Sequence, residues 1–317
     1  MTYIVLVFLG ATSYGILSTI VKFAYGDGYS LGDVVGIQLL VGFLITSGFT
    51  FYIKMRRKIK IRGKSSLVSS VDEHDKQYVA PTWKQRGILM AAGLPMVVTS
   101  FSYYGALQYI SASLAIILLF QFTWISVLIQ MIHRRQRPHK IILLTLFILF
   151  GGTLLAAGIA EQGVGHFHWW GITMGLISAV SYSLFIFFNG QVVTTVYPMY
   201  RTQWMLTGAL LVAFLIYPPS FLVDGRLWEG LLFYGCLLGF FGSFIPPVLF
   251  AIGVPQIGGA MAGILGAVEL PVAMIASAWI LCEQVSLLQW TGVICILAGV
   301  ALPEGYRQLR VRRMLRN

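Results

Sequence analysis

The sequence predicts an all-α integral membrane protein with ten transmembrane helices, and three observations carry that reading. The 317 residues are 57% hydrophobic and only 10% charged, whereas a soluble domain carries roughly 25% charged residues. With a mean hydropathy of +0.80, the chain lacks the polar skin that a water-soluble globule of this size needs. Its apolar runs are continuous and close to the ~20 residues that cross a bilayer as a helix, unlike the alternating ten-residue strands of an outer-membrane barrel. Finally, the cations gather on one side of those runs.

Charges, glycines and prolines divide the chain into ten segments. The first five are Tyr3–Lys22, Leu31–Ile53, Gly87–Tyr109, Ala112–His133 and Lys140–Ala160. The second five are Trp169–Asn189, Met199–Tyr217, Leu231–Ile252, Gly258–Leu281 and Leu288–Tyr306. The first run has neither a basic segment before it nor a small-residue cleavage site after it, so it reads as a span and not as a leader. With the N-terminus in the cytoplasm, twenty of the 22 Lys and Arg residues fall inside: ten between Lys54 and Arg86, four between Arg134 and Lys140, Arg201, and five between Arg307 and Arg316. Only Lys22 and Arg226 fall outside. By the positive-inside rule both termini are cytoplasmic and the span number is even. That placement explains the net charge of +11 through topology, with no nucleic-acid partner. The polar stretch from Lys54 to Trp83 reads as a cytoplasmic loop whose cations lie near anionic headgroups. Cys236, Cys282 and Cys295 show no metal or disulfide spacing.

The two halves, residues 1–160 and 161–317, resemble each other. Ile110-Ser-Ala-Ser-Leu-Ala115 aligns with Ile257-Gly-Gly-Ala-Met-Ala262, and the register runs without a gap to Gly151-Gly152 against Ala298-Gly299. Ala11-Thr-Ser-Tyr14 matches Ala179-Val-Ser-Tyr182. Five spans per half is an odd number, so the second half enters the membrane from the opposite side. Inverted repeats of this kind are common in secondary transporters, with the binding site near mid-membrane between the halves.

These motifs, together with Glu269-Leu-Pro271 and the run from Glu283 through Trp290-Thr-Gly292 to Leu297-Ala-Gly299, resemble the EamA branch of the drug/metabolite transporter superfamily. The resemblance implies two inverted five-helix repeats around a central cavity, with the fifth and tenth helices peripheral. It also implies transport of small metabolites, commonly amino-acid export. Two departures stand out. Gln121-Phe-Thr-Trp124 replaces the Glu-x-Pro feature in the first repeat, and the Lys54–Trp83 connection is longer than the family's usual one.

Of eleven acidic residues, only Glu269 lies near the middle of a span. An ionised group there costs on the order of 2.5–3.5 kcal/mol on translocon scales, which leaves three roles: binding a substrate ammonium, carrying a proton, or a hydrogen bond that locks helices. Pro271, Pro246 with Pro247, and Pro95 each remove a backbone hydrogen bond within a span, and read either as kinks in a cavity wall or as packing kinks. Tyr14 and Tyr182 are repeat-related, Gln38 and Trp204 approximately so, and Gln121 and Trp124 fall at a similar depth in the fourth span. If all six face inward, the cavity is aromatic and neutral with a single acid. The pairs Gly171/Gly175, Gly235/Gly239 and Gly259/Gly263 allow close helix approach. His166 and His168 form a His-x-His in a loop, too weak a pattern for a metal site.

The expected function is a secondary transporter of the plasma membrane that exports a small neutral or zwitterionic metabolite such as an amino acid, with no cofactor. Protons are a possible coupling partner and lipids the surroundings. Phosphorylated substrates are disfavoured because no cation lies at mid-membrane. A hydrophobic-cation or drug exporter gripping its substrate with Glu269 and aromatic rings is the alternative. An enzyme is disfavoured: all five histidines lie in or beside loops, and neither Gly-x-Ser-x-Gly nor a Walker motif occurs.

Overall fold

The computed structural model describes residues 2–63, 80–110, 112–135, 140–156, 168–280 and 286–314. Eight helical stretches among them are long and apolar enough to cross a membrane, and two shorter apolar helices cover Lys140–Leu155 and Leu287–Leu302. The acidic part of the Lys54–Trp83 connection, His166, Cys282 and the Glu283-Gln-Val285 portion of the family motif lie outside the described residues.

Among the described residues, five of the ten spans are interrupted. The first is α1 (Thr2–Gly15) and α2 (Leu17–Gly26), followed by α3 (Leu31–Gly63) as the second. The third comprises α4 (Trp83–Ala92) and α5 (Leu94–Ala106), the fourth α6 (Ala112–Phe120) and α7 (Phe122–Arg134), the fifth α8 (Lys140–Ala156). In the second half, α9 (Trp169–Gln191) and α10 (Pro198–Ile216) run unbroken. The eighth span passes through wide turns at Leu227–Leu231 and Gly239–Phe244, which flank α11 (Leu232–Leu238), into α12 (Ile245–Ile257). The ninth is α13 (Gly259–Gly266) and α14 (Glu269–Ile280), and the tenth is α15 (Leu287–Met314).

Of the boundaries that differ from the sequence reading, two have a clear local cause. Helix α3 continues to Gly63, through the basic run read as loop, because Lys, Arg and Ile favour continued helix and neither Gly nor Pro intervenes before Gly63. The third span begins earlier, at Trp83. There the Thr82 hydroxyl accepts from Gln85 N–H at 3.4 Å and the Gln85 amide oxygen accepts from Thr82 N–H at 2.9 Å, a reciprocal cap that fixes the helix start.

The principal interfaces run between repeats. The first span packs on the eighth, the second on the seventh and eighth, the third on the sixth, the fourth on the ninth, and the fifth on the tenth. Small residues set these distances. Gly171 and Gly175 seat against Ile110 and Leu118, Gly235 and Gly239 against Ile37 and Val41, Gly259 and Gly263 against Gln130 and Ser126. The three glycine pairs thus all face the first repeat. The fifth and tenth spans meet through Gly152 and Gly299, the glycines that the repeat alignment superimposes: a Cβ on Gly152 would stand 3.1 Å from Gly292 O, and one on Gly299 would stand 2.9 Å from Leu149 Cδ2.

The tightest crossing joins the third and seventh spans. A Cβ on Gly93 would collide with the Met205 carbonyl oxygen, and one on Gly208 with the Met90 carbonyl oxygen. Backbone cannot yield as a side chain can. Gly93→Ala or Gly208→Ala is therefore expected to lower stability by about 1–3 kcal/mol, read as a fall in melting temperature in detergent. Gly151→Ala, where a Cβ meets nothing within 4 Å, should leave it unchanged.

Candidate functional site

The break in the ninth span places the one mid-span acid. Pro271 has no N–H to give to the carbonyl four residues back, and Ala267 O accepts instead from Leu270 N–H at 3.3 Å. The helix restarts at Glu269, so the carboxylate occupies the first turn of α14, where the helix dipole favours negative charge. It lines a central cavity. Glu269 Oε2 is shielded from solvent without a hydrogen-bond partner, and so are the Tyr182 hydroxyl and Ser243 Oγ on the same cavity wall. The Tyr182 hydroxyl stands close enough to interact with Glu269, but no well-formed hydrogen bond joins them.

The matching Ser-Tyr dipeptides of the two repeats do matching work. Ser13 donates to Phe241 O at 2.6 Å, and Ser181 donates to Pro95 O at 2.9 Å. Each serine thus ties its span to the irregular span of the other repeat, close to that span's proline break. The tyrosine that follows enters the cavity. Tyr14 and Tyr182 meet edge to face, ring centroids 5.5 Å apart. Phe122 packs on Tyr182 at 4.6 Å, and Phe250 on Tyr14 at 6.1 Å.

Gln38 shares this cavity, its Oε1 accepting from the Tyr104 hydroxyl at 2.7 Å. Tyr103, Tyr104, Thr99 and Ser100, all on α5, complete the polar lining and escaped the sequence reading. A Tyr-Tyr pair with two hydroxyl residues just before it, in a span opened by a proline, was the available signal. Pro95 and Pro246 both sit in the first turn of the second half of their spans, α5 and α12, so the third and eighth spans are broken in the same manner. The cavity measures only about 50 Å³, room for a few waters and well below the roughly 300–1,000 Å³ of small-molecule pockets. A molecule the size of an amino acid does not fit it in this conformation.

Three expected cavity residues lie elsewhere. Gln121 and Trp124 bond to each other, Trp124 Nε1 donating to Gln121 Oε1 at 2.8 Å, and line an apolar groove against the fifth span. Trp124 is 44% exposed and faces the lipid side. Trp204 borders a separate pocket among the second, third and seventh spans. For Gln121 and Trp124 the rotation about the helix axis differs from the expectation, and Trp204 sits beside Arg86 near the start of its helix instead of at mid-span. Arg201, counted in the sequence only for its side of the membrane, is 1% exposed. It donates through Nη1 to Ala251 O at 2.9 Å, the carbonyl that Pro255 deprives of its helical donor, and through Nη2 to Asn189 O at 2.5 Å.

Both approaches to the cavity are bridged. On the side of the termini, α7 lies along α13, and Gln130 Oε1 accepts from Ala260 N–H at 2.6 Å. On the opposite side α6 and α14 touch only sparsely. There the bridge is polar: Arg226 Nη1 pairs with the buried Asp33 carboxylate at 3.2 Å, and the Tyr234 hydroxyl donates to Asp27 at 2.5 Å. His168 stacks on Tyr109 at 4.6 Å, and no group of three or more potential metal ligands forms among the described residues.

No curated protein matches this chain. A solved crystal structure superposes with a TM-score of 0.65, covering 94% of this chain and 97% of its own at 15% identity; at that identity the likeness speaks for the fold alone. The profile of the EamA-like transporter family matches twice, over residues 1–158 and 169–303, as an internal repeat requires. With two copies of the family unit spanning almost the whole sequence, the chain is a multi-pass membrane protein that belongs to the EamA-like transporter family of the drug/metabolite transporter superfamily.

Proposed function

We propose that the chain is a secondary transporter that exports a small, amine-bearing, neutral or zwitterionic metabolite of the amino-acid kind across the plasma membrane, by alternating access and with both termini cytoplasmic. The observation that carries this reading is the central cavity: one carboxylate, Glu269, among four tyrosines, an amide and several hydroxyls, with no Lys, Arg or His among its described lining residues. A carboxylate recognises an ammonium through charge-assisted hydrogen bonds. The hydroxyls of Tyr182 and Ser243, uncommitted within the protein, serve as donors to a substrate carboxylate. A phosphorylated substrate finds no cation there to replace its hydration. A second reading, a hydrophobic-cation exporter, draws on the edge-to-face pair of Tyr14 and Tyr182 beside that carboxylate, rings whose faces attract cations.

Uptake of a labelled amino-acid panel into proteoliposomes, with empty liposomes as control, tests the first reading. Saturable uptake of an amino acid supports it; uptake of lipophilic amines alone moves the assignment to the second. Glu269→Gln is expected to weaken apparent substrate affinity about tenfold or more, the size of one charged hydrogen bond of roughly 1.5–3 kcal/mol.

If Glu269 also exchanges a proton for substrate, an acid interior raises substrate uptake into wild-type vesicles, because protons leave as substrate enters. Glu269→Gln should abolish that response, and an unchanged response to the gradient in the variant excludes Glu269 as the proton carrier. Tyr182→Phe separates binding from folding. Its hydroxyl makes no well-formed hydrogen bond within the protein, so the melting temperature should hold while affinity falls about fivefold, the equivalent of one hydrogen bond of ~1 kcal/mol.

A further inference from the structure

We infer that the pocket bordered by Trp204 is a binding site for the phosphate headgroup of an anionic phospholipid. It lies on the membrane face that carries most of the chain's cations, between the end of the membrane-crossing part of α3, the start of α4 and the first turns of α10, and encloses about 360 Å³. Two cations line it, Lys54 and Arg86, and no carboxylate does among the described residues.

Arg86 is held in place. Its guanidinium lies 4.3 Å from the Trp83 ring centroid and 5.0 Å from that of Trp204, and its Nε donates to Pro81 O at 3.1 Å. Among the described residues this is the one hydrogen bond that the guanidinium makes to the protein, which leaves its terminal amino groups as donors in a fork suited to phosphate oxygens. Thr50, only 6% exposed, lines the same pocket with a hydroxyl that is shielded from solvent and bonds to nothing. Gln203 Nε2 reaches Ser47 Oγ at 3.3 Å on the opposite wall. A cation fixed between two aromatic rings and an exposed second cation, with an uncommitted hydroxyl in the pocket wall, form a donor set for an anion.

The surroundings choose the source of that anion. Phe51 on α3, part of the pocket lining, is 69% exposed, and Trp83, stacked under Arg86, is 81% exposed at its rim. Large exposed aromatics at a membrane interface lie against acyl chains and glycerol backbones. A soluble phosphate would use the cations and leave this apolar apron idle, whereas a phospholipid engages both. Basic pockets between membrane helices on the cytoplasmic side are suited to anionic headgroups.

The test is native mass spectrometry of the full chain in detergent, titrated with phosphatidylglycerol, with phosphatidylcholine, and with inorganic phosphate. The expected result is retention of phosphatidylglycerol over phosphatidylcholine, not displaced by millimolar phosphate, and weakened about tenfold in the double variant Lys54→Gln with Arg86→Gln. Arg134→Gln with Lys140→Gln, which removes two cations of the same face outside the pocket, should retain it. Thr50→Val probes the same pocket without altering charge and should weaken retention several-fold, so a double variant that fails to fold leaves the test intact. Equal binding of the two lipids, equal loss in the Arg134/Lys140 control, or full retention in Thr50→Val overturns the proposal. Displacement by inorganic phosphate assigns the pocket to a soluble anion and overturns the lipid assignment.

Discussion

The structure depends on one constraint: neither repeat closes a compact core alone, and each main span finds a principal partner in the other half. Between helices in lipid there is no hydrophobic driving force, so association rests on close packing and on polar contacts. The molecule meets that condition with glycines. Gly93 and Gly208 bring two backbones into contact, Gly152 and Gly299 let the fifth and tenth spans approach closely, and the three spaced glycine pairs of the second repeat all seat on first-repeat side chains. Because the contacts cross the repeat boundary, any movement of one half changes the walls of whatever lies between them.

What lies between them is irregular backbone. Broken helices at membrane depth are tolerated where protein re-satisfies the freed groups or a cavity is lined, and both cases occur here. Ser13 and Ser181 donate across the repeat boundary to carbonyls of the eighth and third spans. Arg201 occupies the carbonyl that Pro255 exposes. A charged guanidinium buried to 1% exposure is sustained by these carbonyl oxygens, which makes it a structural clasp between the sixth, seventh and eighth spans. The break in the ninth span, at Ala267 and Val268, turns Glu269 toward the cavity.

Much of this was legible in the sequence, and what was not has a physical reason. The span order, the repeat register and the singular acid follow from hydropathy and from one carboxylate standing in a long apolar run. The Ser-Tyr dipeptides were visible because they recur, and both tyrosines reach the cavity. Tyr103 and Tyr104 were not singled out because nothing repeats them. Gln121 and Trp124 turn away from the cavity, which was not legible because a helix apolar all round carries no polar face to show which side turns inward, and Trp204 lies too near the start of its helix, beside Arg86, to reach it. Arg201 shows the same limit for charge. Its count toward membrane orientation reads directly from sequence, while its burial depends on a proline fifty-four positions later that frees the carbonyl it binds.

The asymmetry at the centre is chemical as much as geometric. In the register that pairs Ile110 with Ile257, Gln121 falls on Val268 and Phe122 on Glu269. Both spans break at that point, α6 giving way to α7 and α13 to α14, so the backbone event is shared and the side chain is not. A carboxylate at both positions would put two like charges near one small cavity, where each disfavours ionisation of the other. Phe122 avoids that repulsion and instead packs on Tyr182, the tyrosine that faces Glu269. The repeats therefore offer two similar scaffolds and a single charge. The one carboxylate stays with the second repeat, framed by aromatic residues of both halves, Tyr14, Tyr103 and Tyr104 from the first and Tyr182 and Phe185 from the second.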